Sequence, residues 1–161
     1  MVSKRTMICR ASRLAVCLLW AYAQAGAAEL FEKTEVMIPM RDGVKLHTVI
    51  FTPKERPGPL PILFERTPYG APADPERFAA TSEFLIDDGY IFAFQDIRGR
   101  FKSQGEFVMQ RPPRNRAERS SIDESTDAYD SIEWMIKNVG GNNGRAGMMG
   151  VSYGGWLVTM A

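Results

Sequence analysis

The chain has 161 residues, 45% of them hydrophobic and 24% charged, the balance of a folded domain and not of a disordered or fibrous polypeptide. Its formal charge of +1 hides an asymmetry: Lys4, Arg5, Arg10 and Arg13 all precede the first acidic residue, Glu29, leaving 16 basic residues against 19 acidic in the rest. A mildly acidic body gives no electrostatic footprint for nucleic acid, which is excluded as a partner.

The basic start is followed by an apolar stretch, LAVCLLWAYA, from Leu14 to Ala23, and then by the small residues AQAGAA. This is the pattern of a secretory signal, and ten apolar residues are too few to span a bilayer. Residues 1–27 are therefore expected to be a signal peptide, with the mature start between Gly26 and Glu29 and no membrane association after cleavage. Cys9 and Cys17, the two cysteines, would leave with it. Without them there is no disulfide framework, no thiol nucleophile and no thiolate metal site.

Beyond the signal, EVMIPM and VKLHTVIF flank Arg41-Asp42-Gly43, two β-branched runs about an Asp-Gly turn, which predicts an antiparallel hairpin over Thr34 to Phe51. The four prolines of TPKERPGPLP break regular structure, and ILFER, residues 62–66, reads as a buried strand ending in the loop Thr67-Pro68-Tyr69-Gly70. Residues 75–87, opening with Pro75, suggest a helix. YIFAFQD is apolar almost throughout, as a parallel strand covered on both faces would be. After it, an irregular stretch to Ser121 carries Arg111, Arg114, Arg116 and Arg119. That stretch is expected to be a solvated surface loop, with an anionic-ligand site as the alternative. Ser121 with Glu124 fits a capping box, and Ala128, Ile132, Met135 and Ile136 share one face of the helix that follows, which should end near Asn138 to Gly141. RAGMMGV is a short strand, and YGGWLVTMA begins another helix.

A hairpin followed by alternating strands and helices predicts an α/β chain: an antiparallel edge extended by parallel βαβ units with right-handed crossovers. This is the opening, N-terminal part of an α/β-hydrolase fold, although doubly wound folds share much of it. Gly150-Val151-Ser152-Tyr153-Gly154 fits G-x-S-x-G at the point where a predicted strand gives way to a predicted helix. A nucleophile elbow needs that context. The serine occupies a strained turn, the glycines make room for crowded backbone, and the amide of Tyr153 opens the helix where an oxyanion would develop.

VMIPMRDGVKL, RTPYG, FQDIRGRFKSQGEF, the helix ending in IEWMIKN, and NGRAGMMGVSYGGW occur in that order. Together they resemble the N-terminal catalytic half of the cocaine esterase and X-Pro dipeptidyl-peptidase group of serine hydrolases. FVMQRPP with DESTDAYDSIEW is most similar to the α-amino-acid ester hydrolases of that group. The resemblance runs from about Thr34 to Ala161. It implies that Ser152 is the nucleophile, that the Tyr153 amide and the Tyr69 phenol form the oxyanion hole, and that no metal or organic cofactor takes part. It further implies a small-molecule ester or amide substrate cleaved through an acyl-enzyme, and it leaves an oligomer open. Asp96, Arg98 and Gly99 also match a recurring motif of the group, and a structural role is expected for them: an Asp-Arg ion pair tying the loop.

A serine hydroxyl needs a general base, usually a histidine. The single histidine, His47, precedes the serine by about a hundred residues, whereas in α/β-hydrolases it follows. Alternation turns it away from the side of Val44, Leu46, Thr48 and Ile50, and it is expected to be a surface or sheet-face residue without a catalytic role. The sequence ends inside an apolar helical run, WLVTMA, with no stop signal. A truncated enzyme is therefore favoured over a pseudoenzyme, and the 161-residue chain alone should be inactive and poorly stable. The alternative readings are an X-Pro dipeptidyl-peptidase or a cocaine-esterase-like carboxylesterase within the same group, a prolyl-oligopeptidase-type peptidase, and a non-catalytic secreted binding protein on a hydrolase-like sheet.

Overall fold

The computed structural model describes residues 26–118 and 120–161. Nearly all of the expected signal peptide, and Arg119, lie outside the described residues. After a single helical turn, α1 (Ala27–Leu30), come β1 (Phe31–Pro39), β2 (Lys45–Pro53), β3 (Leu60–Thr67), α2 (Glu76–Ala79), α3 (Glu83–Asp88), β4 (Ile91–Asp96), α4 (Glu124–Asn138), β5 (Asn142–Met148) and α5 (Tyr153–Thr159).

The strands form one sheet in the order β1-β2-β4-β3-β5. β1 and β2 make the expected antiparallel hairpin, with Ile38 opposite Leu46. Its turn closes through Gly43, whose φ of 84° favours a residue without Cβ. β2 joins β4 antiparallel, while β3 lies parallel to both β4 and β5. The hairpin is thus an antiparallel edge on a parallel sheet, as the element order implied. β3 begins two residues earlier than the prolines suggested, and Pro61 sits at the register shift between Leu60 and Ile62. A proline, lacking the N–H that a ladder requires, is tolerated at such an irregularity.

Both faces of the sheet are covered. Ile38, Leu46, Ile50, Ile62, Phe64, Ile91 and Ala93 pack with Met135 of α4 on one side. On the other, Phe31, Phe51, Phe92 and Phe94 close around Phe78 of α2, with ring centroids from 4.9 Å for Phe78 and Phe92 to 6.3 Å for Phe31 and Phe51. Full burial of each such ring contributes about 1.5–3 kcal/mol. β5 lies at the sheet edge with most of its residues exposed.

Two helical expectations need correction. The helix foreseen over residues 75–87 is split into α2 and α3. Thr81 bonds the Phe78 carbonyl with both its N–H and its hydroxyl, and Ser82 N–H donates to Ala79, three residues back. That tight turn ends the α-helical ladder. The capping box of α4 is also two residues later than expected. Asp123 accepts from the Thr126 amide at 2.8 Å, and the Thr126 hydroxyl accepts from the Asp123 amide at 2.9 Å. Aspartate supplies a stronger acceptor for the orphan amides than Ser121, whose hydroxyl is occupied by the amide of Asn115.

Candidate active site

Ser152 stands between the end of β5 and the first turn of α5, with φ 58° and ψ −120°. Holding a residue with a Cβ in this region costs on the order of 1–3 kcal/mol. The turn is fixed from both sides: Met149 N–H donates to Phe64 on β3 at 3.1 Å, Gly154 N–H to Val151 at 3.0 Å, and Trp156 N–H to Ser152 at 3.1 Å. A Cβ at Gly150 would collide with the carbonyl group of Gly154, and one at Gly155 would lie 3.2 Å from the Gly150 carbonyl oxygen. Glycine at 150 is therefore a condition for the strand end to meet the helix start, and at 155 it relieves a tight contact. Ser152 is exposed, and its hydroxyl makes no capping bond to α5.

Tyr153 is the first residue of α5. Amides in the first turn of a helix have no acceptor within it, and the helix dipole adds positive potential there. The Tyr153 phenol is engaged elsewhere: its oxygen accepts from the amide of Gln110 at 3.2 Å, and its ring meets Trp156 at 5.0 Å. The side chain thus ties the start of α5 to the long loop.

Tyr69 lies two residues beyond the end of β3, in a turn where its amide donates to Thr67 Oγ1 at 3.0 Å. Its side chain is 62% exposed. Because β3 and β5 are parallel neighbours, with Phe64 beside Met148, the Tyr69 loop and the Ser152 turn emerge at the same carboxyl-end rim. Tyr69 and Met149 line one cavity of about 270 Å³ with Glu65, Thr67, Phe78 and Ser82. Burial in this cavity pushes the Glu65 carboxyl above its ordinary value.

His47 does not sit on the surface. It is 6% exposed, on the sheet face away from Leu46 and Ile50, as alternation indicated, but that face is covered too. Its Nδ1 lies 2.9 Å from Asp96 Oδ2 and its Nε2 lies 3.0 Å from Glu35 Oε2. Both ring nitrogens are thus committed to carboxylates. β4 and β3 stand between β2 and β5, so His47 is three strand spacings, about 14 Å, from the Ser152 strand. It cannot serve this serine.

The Asp96–Arg98 ion pair is also corrected. Arg98 instead forks between Asp127 of α4 (Nη2 to Oδ1 2.7 Å, Nε to Oδ2 3.0 Å) and Asp42 of the hairpin turn (Nη1 to Oδ2 2.7 Å, Nη2 to Oδ1 3.2 Å). Burial weakens the Arg98 cation, yet these two carboxylates outweigh it and raise its pKa. Asp42, likewise penalised by burial, is held below the usual carboxylate range by Arg98. Beside them, fully buried Arg66 donates to the Glu124 carbonyl at 2.9 Å and to Gln95 Oε1 at 3.2 Å. Gln95 in turn donates to Thr48 and Ser131. Sequence reading missed this polar core because its members are dispersed from residue 42 to 131. The one available signal was an arginine at the end of an apolar strand, which must find partners if buried.

Of the long-loop arginines from Arg111 to Arg119, the described ones are Arg111, Arg114 and Arg116. Arg111 donates to the Glu106 carbonyl, Arg116 is exposed, and Arg114 is half-buried. Among the described residues no group of three His, Cys, Asp or Glu side chains could hold a metal ion, and no helix is long and apolar enough to cross a membrane.

Residues 42–161 match the family described as X-Pro dipeptidyl-peptidase (S15 family). The cocaine esterase of Rhodococcus sp. (strain MB1 Bresler) is 37% identical over 123 residues, covering 74% of this chain and 19% of that protein. A solved α-amino acid ester hydrolase is 45% identical with a TM-score of 0.75, covering 86% of this chain and 24% of that one. An aminopeptidase from a marine sediment Thaumarchaeota archaeon is 36% identical with a TM-score of 0.73, covering 85% and 24%. An esterase of Pyrococcus furiosus, 20% identical with a TM-score of 0.57, shares the fold. The chain therefore spans about a fifth to a quarter of the length of the first three relatives, carrying the N-terminal part of an α/β-hydrolase fold. By the match over residues 42–161, it belongs to the X-Pro dipeptidyl-peptidase (S15) family of hydrolases.

Proposed function

We propose that this chain supplies the nucleophile and the oxyanion donors of an exported serine hydrolase that cleaves an ester or amide bond through an acyl-enzyme. The observation that carries this reading is Ser152 itself: a non-glycine residue at φ 58° between a strand and a helix, exposed, its hydroxyl uncommitted to the helix it precedes. In the reaction, Ser152 Oγ bonds to the substrate carbonyl carbon while its proton passes to a general base. The carbonyl oxygen becomes an oxyanion facing the Tyr153 N–H and the Tyr69 phenol. Collapse breaks the bond to the alcohol or amine, which departs with the proton, and water then hydrolyses the acyl-serine. His47 is committed to Asp96 and Glu35, so the base and its orienting acid lie outside these 161 residues, and the isolated chain does not turn over substrate.

The likeness to an α-amino acid ester hydrolase at 45% identity favours an ester of an α-amino acid. A peptide amide is the second reading, favoured by the aminopeptidase neighbour and the family description. Export rests on the apolar, small-residue-flanked N-terminus.

The test is fluorophosphonate labelling of the protein expressed from its intact reading frame. Ser152 should be labelled, and Ser152→Ala should lose the label and at least about 10⁴-fold in ester turnover. An unlabelled parent would sink the serine hydrolase reading in favour of a binding protein. N-terminal sequencing of the exported form should begin between Gly26 and Glu29.

A further inference from the structure

We infer that His47 is a positioning residue for the Tyr69 loop, acting through Asp96; this rests on the oxyanion role proposed for Tyr69. Asp96 ends β4 and is 2% exposed. Its Oδ1 accepts from the amide of Ala71 at 2.7 Å, two residues past Tyr69, and its Oδ2 accepts from His47 Nδ1 at 2.9 Å and more distantly from the Lys102 amide at 3.4 Å. One carboxylate oxygen therefore holds the loop, and the other is held by the imidazole. A carboxylate turns about its last side-chain bond, so the plane that aims Oδ1 at Ala71 is set by the donor on Oδ2.

The imidazole is itself fixed. Its second nitrogen faces Glu35 Oε2 at 3.0 Å, and Glu35 is kept ionised by Lys33, by His47 and by Lys102. Two amides occupy the Asp96 carboxylate as donors, so it too acts as an acceptor. Each ring nitrogen therefore faces one carboxylate oxygen, and the imidazole is bracketed by Asp96 and Glu35. The charged groups around it are Lys33 and Glu35 from β1, Asp96 from β4 and Lys102 from the loop after β4. The backbone N–H of His47 adds a tie to that loop through Ser103 Oγ at 2.8 Å, whose hydroxyl donates to the Asp96 carbonyl at 2.6 Å.

The rest of the Tyr69 loop is clamped from the same side. Ile97 N–H donates to the Thr67 carbonyl at 3.1 Å, and Arg100 Nε to the Pro68 carbonyl at 3.1 Å. Gly70, at φ 96°, lies against the Phe101 ring, where an added Cβ would stand 3.1 Å from it. The segment after β4 is the cradle of the oxyanion tyrosine, and the His47–Asp96 pair sets its depth on the Ala71 side.

Two variants separate positioning from bulk stability. In His47→Asn the amide nitrogen stands near the Nδ1 position and can still donate to Asp96; in His47→Gln it stands near the Nε2 position, toward Glu35. With p-nitrophenyl acetate and the protein from its intact reading frame, His47→Gln should lower kcat about tenfold with KM little changed, and His47→Asn should recover most of that loss. In a Tyr69→Phe background, His47→Gln should cost about twofold or less, because the group it positions is already gone. Equal kcat for His47→Asn and His47→Gln, or a full tenfold loss in the Tyr69→Phe background, would overturn the inference while leaving Ser152 chemistry intact. A parent whose turnover does not depend on Ser152 would remove the proposed function first and this inference with it. Should either single variant fail to fold, the rate of fluorophosphonate labelling of Asp96→Asn decides: unslowed labelling overturns the positioning role.

Discussion

The rim around Ser152 and the charged clamp beneath the hairpin are built on opposite terms. At the rim, Ser152 and Tyr69 are exposed, the serine hydroxyl leaves the helix uncapped, and the backbone is forced into a glycine-like turn. In the clamp, Arg98, Asp127 and Arg66 are buried, and Arg98 is forked between two aspartates. The groups proposed to meet a substrate are left open, whereas Arg98, which ties the hairpin turn to α4, has all three guanidinium nitrogens bonded to carboxylates. The contrast assigns Arg98 to architecture, while Asp96, two residues before it, is tied to the Tyr69 loop through the Ala71 amide.

This division can be broken by exchanging readouts between the two regions. The largest loss of stability is expected from Arg98→Ala. It strands the Asp127 carboxylate with only the more distant Arg66 guanidinium, 3.6 Å away, and should cost about 3–5 kcal/mol by chemical denaturation. Tyr69→Phe should do the reverse: transition-state stabilisation falls by about 3–4 kcal/mol, read in kcat/KM, while the unfolding midpoint stays put because the phenol is 62% exposed. A Tyr69→Phe protein that unfolds earlier would show the rim to be structural. Removing the cap of α4 with Asp123→Ala should cost about 1 kcal/mol of stability without changing the labelling of Ser152.

The smallest effects are those of pH. Asp42 and Asp123 are penalised by burial, but Arg98, and the amides of Arg114 and Thr126, respectively, hold both below the usual value of 3.8. Their contribution is complete above that value and disappears as pH falls through their folded pKa, so what they add to thermal stability should be level down to about pH 4 and decline below it. Glu65 carries the opposite sign. Burial raises its pKa above 4.5, so its ionisation works against the fold as pH rises through and beyond that value. Glu65→Gln should therefore raise the midpoint at pH 7 and leave it unchanged at pH 4. A midpoint that does not respond at pH 7 would show that the cavity around Glu65 is already open to water.

Much of the framework was legible because it is written locally. Alternation and Asp-Gly gave the hairpin, the unbroken apolar run of residues 91–94 gave the central strand, and the glycines around Ser152 marked the turn. The clamp was not legible, since Arg98 finds its partners 56 and 29 residues away along the chain. His47 shows the limit of periodicity. Alternation told which face of β2 it occupies but not that α2 and the loop after β4 cover that face, nor that β1 and β4 would each present a carboxylate to it. The cap of α4 slipped from Ser121 to Asp123 for a related reason: several side chains could accept the same orphan amides, and the competition is decided by where each already points.

The sheet order also fixes when these parts can come into being. β2 pairs with β4 and not with β3, so the first hairpin off the ribosome has no sheet to join until residue 96 has emerged. Arg98 cannot close on Asp127 until the first turn of α4 is made. The hairpin, the crossover and α4 are therefore expected to dock in one late step, with slow non-local closure and a waiting strand edge on β2 in the meantime. Arg98, reaching both the hairpin turn and the first turn of α4, is the latch whose closure reports that these elements have docked.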